Sequence, residues 1–184
     1  NVKVVLPDSL VQNQFVLELG EDNTASSTFT VSVEGAPDNV SKQVLASTTS
    51  EKVVAKTKFV SGNISEITVT ATGIVNNVQV VVTALDGQKS SSFYVSSIKK
   101  VSSIQQSSDL SLAFVTINTP KNLTNELISF SPIDTTEKDV EFSLAENIFG
   151  ASINNNILVV TEDYVSVDNT IEIIATSKSN SQIT

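Results

Sequence analysis

With 40% apolar residues in a chain of 184 and a mean hydropathy slightly above zero, there is enough apolar surface for a packed core, which excludes a disordered tail. The chain has no Cys, Met, Trp or His and all 11 basic residues are lysines, so a disulfide framework, a thiolate metal site and His-based acid–base chemistry are excluded together. A net charge of −9, with most of the excess in residues 99–184, repels phosphate backbones, so no nucleic acid partner is expected.

From the amino terminus, "NVKVVLPDSL" has neither the charged start and long apolar stretch of a signal peptide nor an initiator Met. It is expected to belong to an internal or processed piece of a longer polypeptide. No apolar run approaches the roughly 18–20 residues of a membrane span, so no direct membrane insertion is expected.

The dominant period further along is two. In "TFTVSVEG" (28–35) Phe29, Val31 and Val33 alternate with Thr30 and Ser32. In "GNISEITVTATG" (62–73) Ile67, Val69 and Ala71 alternate with threonines, and in "VEFSL" (140–144) Val140, Phe142 and Leu144 alternate with Glu141 and Ser143. That is the pattern of half-buried antiparallel strands, and their Val, Ile and Thr suit a pleated surface. No stretch has helical apolar spacing. Short strands between Gly, Asn, Asp, Pro and Ser clusters predict a sandwich or barrel.

An internal repeat organises these strands. "VVVTALDGQKS" (80–90) aligns with "IEIIATSKSNS" (171–181), placing Val80, Val82 and Ala84 on Ile171, Ile173 and Ala175, all expected on a buried face. Asn77 and Asn169 are both expected in the turn before that strand. "VSVEGAPDNVSKQV" (31–44) aligns with "ISFSPIDTTEKDV" (128–140). The spacing of about ninety residues suits an immunoglobulin-like sandwich. Two domains are expected, 1–98 and 99–184, the first closing with "SSFYVSSI" (91–98) and the second truncated where that last strand would begin. The junction "SSIKKVSSI" (96–104) has no Gly or Pro and predicts a stiff, rod-like connection.

Several stretches resemble the bacterial immunoglobulin-like domain of group 2 (BIG2), the module of intimin- and invasin-like adhesins and of phage structural proteins. They are "FSPIDTTEKDVEFSL" (130–144), "INNNILVVTEDYVSVDNTIEIIATS" (153–177) and, in the first copy, "GNISEITVTATG" and "VQVVVTALDGQKSSSFYV" (78–95). The resemblance implies an all-β fold of two tandem Greek-key sandwiches and brings no shared active site. It implies an extracellular location, on a bacterial cell surface or a phage virion. Partners would be other domains of the same or neighbouring chains and, weakly, cell-surface glycans. The function implied is a non-enzymatic stalk or display module. The alternatives are a capsid or tail component of a bacteriophage and an accessory module of a secreted glycan-degrading enzyme.

Candidate site residues are few, and no cofactor is expected. Glu162, Asp163 and Asp168 offer oxygens for calcium, yet their spacing matches no loop designed for it, and solvated turn acids are the default reading. Of the two tyrosines, Tyr94 and Tyr164, Tyr164 in "TEDYVS" is the better candidate to contact a sugar; a packing role is the plainer expectation. An intramolecular Lys–Asn isopeptide bond would suit a Cys-free sandwich, with Lys3, Lys99 or Lys100 as donor. No buried acid to assist it stands out, and a free surface lysine is the default.

Overall fold

The computed structural model describes residues 2–11, 15–86, 89–108, 114–165, 168 and 170–184. The chain divides into two compact units, Asn1–Lys99 and Lys100–Thr184.

Unit 1 begins with β1 (Lys3–Val5), whose alternation buries Val4 and exposes Lys3. Pro7 cannot extend a strand, and a short helix, α1 (Asp8–Val11), follows it, with the Leu10 N–H on the Pro7 carbonyl at 2.9 Å. This turn of helix was not visible as a periodicity, because four residues are too few to show one. It buries Leu10 and delivers the chain to β2 (Phe15–Glu18).

The remaining strands are β3 (Ala25–Glu34), β4 (Val44–Thr48), β5 (Val53–Ser61), β6 (Ile64–Ala71), β7 (Val75–Ala84) and β8 (Ser90–Ile98). They form two four-stranded sheets, β1-β3-β6-β5 and β2-β8-β7-β4. Every pair is antiparallel except β2–β8, which is parallel. This order is that of an immunoglobulin-like sandwich whose first strand is split between the sheets, β1 joining one and β2 the other.

The inward faces follow the period-two reading. Val31, Val33, Ile67, Val69, Ala71, Val80, Val82 and Ala84 are at most 1% exposed. Across the interior, Phe29 of β3 meets Phe15 of β2 edge-on at 4.8 Å between ring centroids and Phe93 of β8 at 6.2 Å, so aromatic contacts tie one sheet to the other. Asn77 lies within β7 rather than before it. The chain bulges between Val75 and Val78, where Asn77 takes a φ of 52° that Asn tolerates better than most residues.

Unit 2 contains β9 (Ser103–Gln106), β10 (Lys121–Asn122), a 3-10 turn (Asn125–Leu127), β11 (Ile128–Ser131), β12 (Val140–Leu144), β13 (Ala151–Asn154), β14 (Ile157–Val160) and β15 (Ile173–Ser177). Its ladders are β9–β11, β10–β14–β13 and β12–β15, all antiparallel. The 3-10 turn splits what is one strand in unit 1, so β10 pairs with β14 and β11 with β9. Phe142 pairs with Ala175 and Val140 with Ser177, whereas Val44 pairs with Ala84, so the two aligned stretches of the repeat are out of step by two rungs. Leu45 is 56% exposed.

Asn155 and Asn156 form the two-residue β13–β14 turn, both at positive φ (49° and 60°), as a tight hairpin requires. Asn156 then reaches across to β12. Its Oδ1 accepts the Phe142 N–H at 3.0 Å, and its Nδ2 donates to the Val140 carbonyl at 3.3 Å.

The aligned triplets differ in depth. Val80, Val82 and Ala84 are buried, but Ile171, Ile173 and Ala175 are only half-buried against the unit 2 core. The cause is the ladder: β7 lies between β4 and β8, whereas β15 pairs with β12 alone among the described residues. Val82→Asp should therefore cost more than about 4 kcal/mol and abolish folding of unit 1, because it leaves a charge in a dry core. Ile173→Asp should cost roughly half as much, since its carboxylate can reach water. Urea denaturation of the two variants checks this, and equal costs would contradict the difference in depth.

Candidate functional site

The β14–β15 connection carries the acidic residues singled out in the sequence. Glu162, Asp163 and Asp168 are exposed, and a Glu162 Oε1 accepts the Asn118 side-chain amide at 3.1 Å. Among the described residues, no group of three or more Asp or Glu side chains converges as a metal-binding cluster. Val167 and Asn169, which flank Asp168 in the sequence, lie outside the described residues.

Tyr164 sits between the acids but packs against the unit 2 core, and its hydroxyl donates to the Thr170 carbonyl at 2.5 Å. A phenol anchored in this way secures the connection before β15 and has its proton committed within the chain. The backbone under Tyr164 is close to Gly150, which has φ 81°. A Cβ on Gly150 would come within 2.4 Å of the Tyr164 nitrogen, so only glycine fits. The Thr161 N–H closes this contact on the Gly150 carbonyl at 2.8 Å.

Two concavities in unit 2 are open to solvent. One is lined by Thr136, Glu137, Lys138, Asp139, Lys178 and Ser179, where opposite charges are interleaved. The other lies over Glu141, Phe142 and the Asn154–Asn156 turn. A hydrogen-bonded polar constellation lies in unit 1, at the turn after β2. The Gly20 N–H donates to the Thr24 carbonyl and the Asn23 N–H to the Gly20 carbonyl, each at 3.0 Å. Asp22 accepts the Thr24 N–H at 3.1 Å and the Thr24 hydroxyl at 2.7 Å. These bonds, the hydroxyl's foremost, hold the Asp22 carboxyl below the usual carboxylate range, with the charge of Lys99 adding a little.

The third partner comes from the far end of the unit. Lys99 is only 7% exposed, and its Nζ donates to Asn23 Oδ1 at 2.5 Å. The surface position expected for this lysine is therefore corrected: it follows β8 into the space beside the turn. The pairing was invisible in the sequence because 76 positions separate the two residues.

No family model matches the chain, and no curated protein does. Among solved structures, it is similar to a variant of the titin fragment I67–I69, at 14% identity and TM-score 0.40, over 88% of this chain and 56% of that one. It is also similar to domains 4–9 of the surface layer protein SbsC, at 12% identity and TM-score 0.38, over 95% of this chain and 31% of that one. Bovine butyrophilin matches at 7% identity and TM-score 0.44, over 96% of this chain and 98% of that one. The chain thus spans about half of the titin fragment and a third of the SbsC fragment. The immunoglobulin-like assignment of unit 1 rests on its own strand order.

Two outcomes are expected of this region. Gly150→Ala should destabilise unit 2 by about 3 kcal/mol, combining positive φ with a backbone clash, and a thermal melt of the variant measures it. Millimolar calcium or a chelator should leave the melting curve of the parent chain unmoved, because the acids do not converge. A rise of several degrees with calcium would make Glu162, Asp163 and Asp168 a binding loop after all.

Proposed function

We propose that the chain is a non-enzymatic pair of immunoglobulin-like structural modules of the bacterial group 2 type that bear tension in an extracellular bacterial surface protein. One observation carries the reading: the parallel pairing of β2 with β8, from Phe15 beside Val95 to Glu18 beside Ile98. The two strands belong to opposite ends of unit 1. When the ends are drawn apart, parallel neighbours are loaded along their length, so every rung of the ladder must yield together. An antiparallel terminal pair would open one rung at a time. The Cys-free composition supports an origin where such domains are stabilised without disulfides. Its partners would be other domains of the same or neighbouring chains, with surface glycans as weak ligands.

Single-molecule stretching tests the reading. Leu17→Pro removes a β2 amide from the parallel ladder, whereas Val53→Ala trims the core of β5, away from it. At matched thermal stability, Leu17→Pro should lose most of the unfolding force of unit 1 and Val53→Ala should keep it. Equal forces would remove the mechanical reading.

A further inference from the structure

We propose that Lys99 and Asn23 form an intramolecular isopeptide bond that covalently closes unit 1. The geometry selects this pair from the three candidate lysines. Lys3 is exposed and faces a carboxylate, with its Nζ 2.9 Å from Glu34. Lys100 is exposed. Lys99 is buried, with its Nζ 2.5 Å from the side-chain carbonyl oxygen of Asn23.

The backbone on each side of the contact is held by main-chain hydrogen bonds. Asn23 sits at φ 60° in the turn closed from Gly20 to Thr24. Lys99 directly follows Ile98, whose carbonyl accepts the Leu19 N–H at 2.8 Å. Two groups fixed this way react as one molecule, with the orientational entropy already spent in folding.

The step balances without an oxidant or reductant. The Lys99 Nζ, as the free amine, attacks the Asn23 Cγ and a C–N bond forms. The tetrahedral centre collapses with cleavage of the bond from Cγ to Nδ2. The nitrogen leaves as ammonia, taking one proton that Nζ gives up. Asp22, the carboxylate of the same turn and adjacent in sequence to Asn23, carries that proton. Its two hydrogen bonds to Thr24 fix its orientation. Asp22 is a proton carrier here, while Thr24 is a positioning residue.

The link closes a loop over 76 positions and joins the end of β8 to the turn after β2. Under end-to-end tension, only the stretch before Asn23 can then unravel, and the β3 to β8 body stays out of the path of the force.

Intact-mass analysis of the purified 184-residue chain tests the proposal directly. The expected mass falls short of the sequence mass by one ammonia, and cleavage after lysines yields a branched peptide joining residues 4–42 to residues 90–100. Lys99→Arg cannot form the amide, and Asn23→Gly keeps the left-handed backbone without the amide carbon. Both variants should show their full mass whether or not they fold, and unit 1 should melt several degrees lower. Asp22→Asn should leave a mixture of linked and unlinked chains. A parent chain at full mass would overturn the proposal, as would loss of ammonia without the branched peptide, the result a succinimide at an asparagine would give.

Discussion

The architecture of unit 1 depends on β2 leaving the sheet of β1 and lying parallel to β8. Without that transfer, β8 would be an open edge, with Phe93 and Val95 covered from one side only. With it, the Leu19 N–H reaches the Ile98 carbonyl, the turn from Gly20 to Thr24 is set beside Lys99, and Phe15 is brought edge-on to Phe29. Pro7 and the single turn of α1 make the transfer possible by ending β1 after Val5. A local constraint of a few residues thereby decides which strands close the sandwich and which polar groups meet at its end.

Unit 2 uses the same alternation with less burial. Among the described residues its ladders are two or three strands wide, so side chains whose counterparts in unit 1 are sealed remain half-buried. Asparagine does much of the work that packing does in unit 1. Asn155 and Asn156 supply the positive φ of a tight hairpin, and the Asn156 amide then bonds β12 through its main chain. Gly150 and Tyr164 fix the adjoining connection by close backbone approach. Among the described residues, the acids of this connection do not converge as a metal-binding cluster.

What the sequence made legible was the pattern carried by single side chains. The alternation in 28–35 and 64–71 identified both strand and buried face, because a half-buried strand writes its environment into every second residue. The repeat identified corresponding strands, but not the register between them: it aligns Ala84 with Ala175 and Val44 with Val140, while the ladders pair Val44 with Ala84 and Val140 with Ser177. What it left hidden depends on chain reversal and distance. The four-residue α1 is too short to show a period, the splitting of one strand into β10 and β11 depends on a 3-10 turn with no strong signal, and Lys99 meets Asn23 across the whole unit. The lysine was expected at the surface because charge usually is, and burial beside a fixed amide reversed that expectation.

Amide hydrogen exchange at Leu19 tests the central claim most directly, since its N–H closes the β2–β8 pairing on Ile98. If that pairing closes the sandwich and carries tension, the Leu19 amide should exchange only through global unfolding of unit 1, at the same free energy as Val80 and Val82 in β7. Exchange far faster than in β7, as from a fraying terminal segment, would show that β2 is a loose strap and would contradict the account.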